Sequence, residues 1–351
     1  MIHQRIEEHA KSNKIPGISV GLIKDSEKFF NYGQINKDSK IVPTKDTVFE
    51  IGSMTKTFTA ILAAQLQQEE ILSLDEKISK YLPELENSEF EKQNITLHHL
   101  LTHTSGISEF SVNTFVTQMF SIMTSGKSQI AEYNYQTEEF LKYCKTLKLK
   151  HTPGTTFLYS NIGFGLAGKI MEKLTGKTYD DLVRQYICNI LDMNDTGINI
   201  LESHKEKLAT GYSFRGKQAD YGQVPAIEAA GSLYSTTSDM IKFLKANLDL
   251  TETKLSSAFE YCKNTKSTPK IPLSMKFFTK SLGVSLSTFR FGWFVFPQET
   301  FDVIGHDGGT EGFTSFMGMN LDDNSGVVIL TNKSLKPVHK LGKTILDEAN
   351  K

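Results

Sequence analysis

The chain has 351 residues, 39% apolar and 23% charged, which provides for a substantial core and excludes disorder over most of its length. A formal net charge of −1, with no long basic block, argues against nucleic acid as the main partner, because neutralising phosphates needs clustered Lys and Arg. Cys144, Cys188 and Cys262 lie far apart, and an odd count excludes a fully paired disulfide framework. No CxxC occurs, so a zinc site of that type is excluded and the three read as small buried hydrophobes.

In chain order, Ile2 to Asn13 read as a short amphipathic helix with Ile2, Ile6 and His9 on one side. "PGISVGLIKD" predicts a strand from Ile18 to Lys24, a turn holds Asp25 and Ser26, and "KFFNYGQIN" predicts its partner. "TVFEIG" is a third extended piece, delivering the chain to Ser53. From Met54 the period becomes helical, with Phe58, Ile61, Leu62, Leu66 and Ile71 recurring in a run free of Gly and Pro. The middle keeps helical spacing broken by turns such as "TSGI", "HTPGTT" and "LTGKT", and Thr236 with Asp239 forms a capping signature before "DMIKFLKANL". "TFRFGWFVFP", "FDVIGH", "GFTSFMGMN" and "GVVILTNK" then predict strands, with "LDDNSG" as a hairpin turn, and "KPVHKLGKTILDEANK" closes as a helix.

The expected fold is α/β of the α+β type. Residues 1–69 and 246–351 form an antiparallel sheet built from both chain ends and flanked by helices, and residues 70–245 form a mainly helical region. No apolar run approaches the roughly 18 residues of a membrane span, so no integral membrane segment is expected. "MIHQRIEEHAKSNK" is polar and mixed in charge, unlike a signal peptide's apolar centre. Either the protein is cytosolic, or an export signal has been replaced by Met1.

Three short motifs carry chemistry. In "EIGSMTKTFTA", Ser53 and Lys56 are three apart at the start of a predicted helix, where a hydroxyl and an amine share a face. The free N–H groups of a helix start favour developing negative charge at Ser53. A lysine acts as base only when neutral, which calls for burial or a neighbouring cation; an N-capping serine is the competing reading of this motif. In "LYSNIG", the Tyr159 phenol can shuttle a proton and the Asn161 amide can hold a substrate carbonyl. In "GHDGGTEGF", glycines after His306 let a substrate lie close against a strand edge, and the N–H of Gly309 could pair with that of Ser53 as an oxyanion hole.

SxxK, then YxN about 105 residues on, then HxGG about 147 later, together resemble the serine penicillin-recognising family. The branch is that of class C β-lactamases, D-alanyl-D-alanine carboxypeptidases, D-aminopeptidases and related esterases. The resemblance covers nearly the whole chain, with "IPGISVGLI", "LLTHTSGI" and "AAGSLYSTTSDM" as further similar segments. It implies a serine hydrolase without cofactor or metal, acting through an acyl-enzyme on an amide, ester or β-lactam of a small-molecule or peptide substrate. Ser53 would be the nucleophile, Lys56 and Tyr159 would share the proton transfers, and Asn161, His306 and Gly308 would contact substrate. Exported relatives that act on cell-wall peptides favour a periplasmic or exported location. One departure matters: the family's usual Lys-Thr-Gly is His306-Asp307-Gly308 here. A mostly neutral histidine weakens capture of a substrate carboxylate, so small esters or D-amino-acid peptides are expected ahead of penicillins. The rival is a binding protein that keeps the fold without the chemistry.

Other signals are weaker. "GFGLAG" fits a dinucleotide fingerprint but follows the YSN turn and reads as helix packing. His98, His99 and His103 lack a metalloprotease glutamate and read as structural or solvated. "DDNSG" lacks calcium-loop spacing, and "KSTPK" reads as a solvated loop. The segments about 107–150 and 200–230 are expected to shape the pocket.

Overall fold

The computed structural model describes residues 1–107, 134–222, 224–273, 276 and 285–349. The chain opens with helix α1 (Ile2–Ser12), strands β1 (Gly17–Ile23) and β2 (Glu27–Gly33), and the short strand β3 (Val48–Glu50). Helices α2 (Thr55–Gln68), α3 (Thr137–Thr146) and α4 (Asn161–Thr175) follow, then the two-residue strands β4 (Gly211–Tyr212) and β5 (Gln218–Ala219). Strand β6 (Tyr234–Thr236) leads into α5 (Thr237–Asn247) and α6 (Ser256–Asn264). The last part holds β7 (Lys266–Ser267), β8 (Ser285–Arg290), β9 (Trp293–Pro297), β10 (Asp302–Gly309), β11 (Thr314–Asn320), β12 (Ser325–Thr331) and α7 (Val338–Ala349).

One eight-stranded sheet, in the order β2-β1-β12-β11-β10-β9-β8-β7, organises the molecule. Its neighbours pair antiparallel throughout. Strands from the two chain ends meet at its heart, where Ile18 faces Thr331 and Ile23 faces Gly326. Alternation sends Val327 and Ile329 to one face, against α1 and α7 through Ile6, Leu341 and Ile345. Val328 and Leu330 go to the other face, against the helical part through Met240, Ile241 and Leu244. A strand buried on both faces explains the unbroken apolar run "GVVIL".

Three elements differ from the sequence reading. Strand β3 does not join the main sheet; it pairs with β6 (Val48 with Thr236, Glu50 with Tyr234) as a two-stranded ribbon. Both its strands are fully buried, so period-2 patterning could not reveal which partner they choose. Within "KSTPK", Lys266 and Ser267 form β7, the sheet's last strand; its polar side chains suit an exposed edge, which is why it reads as a loop. Helix α2 stops at Gln68, before Ile71, and is buried from Thr55 to Leu66, so its pattern is less one-sided than an amphipathic surface helix.

The capping signature does form, with the Thr236 hydroxyl accepting from Asp239 N at the start of α5. Cys144, Cys188 and Cys262 are free and buried, and burial pushes the Cys188 thiol up to about 12. No helix among the described residues is long and apolar enough to cross a membrane.

Candidate active site

Ser53 lies in a single 3-10 turn, Gly52–Met54, between the end of β3 and the first turn of α2. The turn is held from both sides. The Thr55 hydroxyl donates to Gly52 O at 2.7 Å and accepts from Leu233 N at 3.2 Å, and Ile51 N donates to Leu233 O at 2.9 Å. Gly52 adopts φ +51°, and a Cβ there would stand 2.7 Å from Gly309 N. A glycine at this point therefore lets the Ser53 turn touch the end of β10.

One turn into the helix, Lys56 is fully buried. Its ammonium donates to Ser53 Oγ at 3.1 Å, Asn161 Oδ1 at 2.7 Å and Ala230 O at 2.7 Å. It lies 4.8 Å from the centre of the Tyr159 ring and 5.5 Å from that of Phe164. The Tyr159 hydroxyl donates to Ser53 Oγ at 2.8 Å. Lys56 and Tyr159 thus converge on the Ser53 hydroxyl and Asn161 on the Lys56 ammonium, although Tyr159 is 106 residues from Ser53 in sequence. The N-cap reading of Ser53 does not hold, since no side-chain cap bond forms at this turn or at α2.

Tyr159 and Asn161 flank Ser160, whose hydroxyl caps α4 by accepting from Gly163 N. That cap fixes the angle at which both neighbours enter the site. Within α4, the "GFGLAG" glycines are packing contacts: a Cβ on Gly168 would meet Ala229 at 2.6 Å. The close approach brings the segment carrying Ala230 O alongside the helix.

The third motif is placed differently from expectation in two respects. The His306 ring is 2% exposed and lies 4.5 Å from the Phe294 ring. Its Nδ1 bonds the Asp307 carbonyl at 2.6 Å, and burial with the charge of Lys56 lowers its pKa to about 3, so the ring is neutral. Burial also raises the Asp307 carboxyl above its ordinary value. Gly308 faces the protein: a Cβ there would lie 2.0 Å from Ile51 O and 2.4 Å from Ser315 Oγ. Gly309 has nothing within 4 Å in that direction and is the glycine that borders open space. β10 pairs with β9 only from Asp302 to Gly305, so His306 to Gly309 lie beyond that ladder.

Three contributors were not assigned to the site from sequence. His103 is buried, accepts from Ser160 N at Nδ1 (3.0 Å), and lies 4.5 Å from the Tyr159 ring and 4.9 Å from Phe164. Burial and the charge of Lys56 hold it well below its ordinary pKa, so it is a neutral aromatic support under Tyr159. The segment "LLTHTSGI" pointed to this region but not to the residue. Ala230 acts through a carbonyl, which no side-chain pattern signals. Glu50 is 6% exposed beside the site, accepts from Gly222 N at 2.7 Å, and burial raises its carboxyl to about 7. Of the two pocket segments, most of 107–150 lies outside the described residues.

Compared with known proteins, the chain matches the Beta-lactamase family model over residues 2–350. It belongs to the β-lactamase family. A β-lactamase of Pseudomonas fluorescens is 27% identical over 357 residues, covering 95% of this chain and 93% of that one. Protein flp of Staphylococcus aureus is 26% identical, and the chain spans 64% of its length. Among solved structures, a β-lactamase/D-alanine carboxypeptidase from Pseudomonas syringae superposes with TM-score 0.82 at 23% identity, covering 99% of this chain and 97% of that one. A class C β-lactamase gives 0.79 at 25% identity, over 99% of this chain and 94% of that one. The mixed architecture of antiparallel sheet and helices is the β-lactamase and transpeptidase fold of these neighbours, and the family is one of serine hydrolases.

Proposed function

We propose that this β-lactamase-family chain hydrolyses a small ester or a D-amino-acid peptide through a covalent acyl-enzyme on Ser53. The observation that carries the reading is Ser53 Oγ held between Lys56 Nζ at 3.1 Å and Tyr159 OH at 2.8 Å. An ammonium has three N–H donors, and Lys56 has an acceptor for each in Ser53, Asn161 and Ala230. The charged form of Lys56 is therefore well satisfied, and the reactive state is the one in which Tyr159, whose hydroxyl otherwise donates to Ser53, has released its proton to solvent. Ser53 transfers its proton to the Tyr159 oxygen as Oγ attacks the substrate carbonyl carbon. The backbone N–H groups of Ser53 and Gly309 receive the developing oxyanion. Collapse expels the leaving group, which takes the proton back from Tyr159. A water then attacks the acyl carbonyl, delivering its proton to Tyr159, and collapse returns that proton to Ser53 Oγ as the acid product leaves.

The neutral, buried His306 supplies no permanent cation for a substrate carboxylate, which favours neutral esters or amides over penicillins. A true β-lactamase is the second reading, favoured by the name of the Pseudomonas fluorescens relative. Exposure to an alkyl fluorophosphonate or a fluorescent penicillin is expected to add one label, at Ser53, with Ser53→Ala unlabelled and without turnover of p-nitrophenyl esters. An intact-mass spectrum with no adduct, under conditions that label a relative, would remove the acyl-enzyme reading. Nitrocefin and D-Ala-D-Ala peptides in the same assay rank the substrate classes.

A further inference from the structure

The net charge of −1 hides a local concentration of lysine at one end of the sheet. Lys14 follows α1, Lys37 follows β2, and Lys333 and Lys336 follow β12. All four side chains come to the end of the sheet where β1 begins and β2 and β12 finish. The turn between β4 and β5 closes over them, with Ser213 N donating to Lys217 O, and it adds Arg215 and Lys217.

The convergence is close. The Lys37 ammonium donates to Gly216 O at 3.0 Å and lies 4.2 Å from the Tyr212 ring centre. The position of a Cβ on Gly216 is 3.2 Å from Lys37 Nζ and 3.5 Å from Lys333 Nζ, so the two ammonium groups share one small space. Lys336 Nζ lies 5.4 Å from the ring centre of Phe214 in the same turn. The Lys333 stem is buried while its ammonium reaches solvent, and that ammonium has neither an ion pair nor a hydrogen bond to a described residue. Every charged neighbour that shifts it is another lysine: Lys336, Lys37 and Lys14, acting with burial, lower its pKa. None of Lys14, Lys37, Lys333 and Lys336 forms a salt bridge to an acid among the described residues, although surface lysines elsewhere, such as Lys80 and Lys173, do.

Ammonium groups gathered this closely with no acid between them repel one another. A multiply charged anion relieves that repulsion. We propose that Lys37, Lys333 and Lys336, with Lys14 beside them and the 213–217 turn as a rim, form a binding site for a phosphate-type oxyanion of at least two charges. The site is built by residues other than those around Ser53. It lies at the same end of the sheet as Gly309, since β11 pairs β10 and β12 with Gly309 facing Thr314 and Thr314 facing Thr331. Two strand spacings of about 4.8 Å separate the ends of β10 and β12, so these two strand ends stand on the order of 10 Å apart. Tyr212 N donates to Gly312 O, linking the rim to the loop that follows Gly309.

The test uses the full chain and inorganic pyrophosphate. At saturating pyrophosphate the melting temperature is expected to rise by roughly 3–5 °C over a sodium chloride control of equal ionic strength. Lys333→Gln and Lys37→Gln are each expected to weaken pyrophosphate binding about tenfold or more by calorimetry. Without the anion, Lys333→Gln should melt no lower than the parent, because it removes one of the mutually repelling charges. Lys92→Gln, an exposed substitution elsewhere, should bind like the parent. An equal rise with chloride, or undiminished binding in the Lys37→Gln and Lys333→Gln proteins, overturns the proposal; should Lys333→Gln fail to fold, Lys37→Gln and the partly exposed Lys336→Gln decide. Co-sedimentation with phosphatidylglycerol vesicles separates the sources. Sedimentation that pyrophosphate reverses assigns a lipid headgroup, and pyrophosphate binding without sedimentation assigns a soluble phosphate. Ester turnover by Lys333→Gln is expected to stay at the parent level, so this site and the Ser53 reading fail or stand separately.

Discussion

A histidine ring packed against Phe294, with one nitrogen tied to the Asp307 carbonyl, occupies the position where a lysine would present a charge. Because His306 stays neutral down to about pH 3, acidifying the medium does not restore that charge in a working range. Substituting His306→Lys is therefore expected to raise the ratio of kcat/KM for a carboxylate-bearing β-lactam over that for a neutral ester, by about tenfold, the scale of a charge-assisted hydrogen bond. The variant also loses the ring contact and should melt lower. A flat or falling ratio in steady-state assays would show that charge at 306 does not select the substrate. Single residues were legible to the extent that their side chains carry the chemistry. Ser53, Lys56 and Tyr159 have a hydroxyl, an amine and a phenol whose spacing can be read from sequence. His103 supports Tyr159 only because two distant turns meet, and Ala230 contributes a carbonyl that any residue has. The orientation of Asn161 toward Lys56 depends on the Ser160 cap and was equally unreadable.

Among the elements, β10 joins the sheet and the Ser53 turn through two adjacent glycines with opposite surroundings. A methyl at Gly308 would collide with Ile51 O and Ser315 Oγ, whereas one at Gly309 would meet nothing. Ile51 is one residue from Gly52, so a displaced Ile51 moves the Ser53 turn. Gly308→Ala is expected to destabilise by roughly 1–3 kcal/mol and to depress turnover with it. Gly309→Ala should melt within about a degree of the parent, within the range of neutral surface changes, and retain turnover because its N–H is kept. Thermal melts and ester assays on the two variants check this, and a reversed order would refute the packing assignment. The main strands were legible from their aromatic and β-branched runs. The β3–β6 ribbon was not, because pairing between segments about 190 residues apart leaves no local pattern, and edge strand β7 was not, because its polar side chains read as a loop.

Across the whole molecule, acid and base sensitivity pull in opposite directions. Glu50 has its carboxyl raised from 4.5 to about 7 by burial, against stabilising bonds from Thr310 and Gly222 N, with Glu311 adding repulsion. Between those values the folded chain holds a proton that the unfolded chain releases, so stability falls as pH rises through this window. His306, lowered from 6.5 to about 3, has the opposite sign: the unfolded chain takes up a proton that the folded chain refuses, and stability falls as pH drops. Glu50→Gln keeps an oxygen for Gly222 N and removes the first effect. Its melting temperature should match the parent near pH 4.5 and exceed it near pH 7.5, with a gap of up to about 3 kcal/mol in stability. Curves that stay parallel across this range would show that Glu50 does not titrate as its surroundings imply.

The adjacency of β1 and β12 also sets a timetable. Ribosomes emit the Ser53 turn early, yet β1 cannot pair with β12 until residue 331 has been made. At about 5–20 residues per second, tens of seconds pass between synthesis of Ser53 and arrival of the strand that closes the sheet. During that interval β1 has only the hairpin with β2, and its other edge stays open. A nascent chain of this design carries an unprotected strand edge longest in its earliest-made part, which makes the interval before release the time when a chaperone has most to cover.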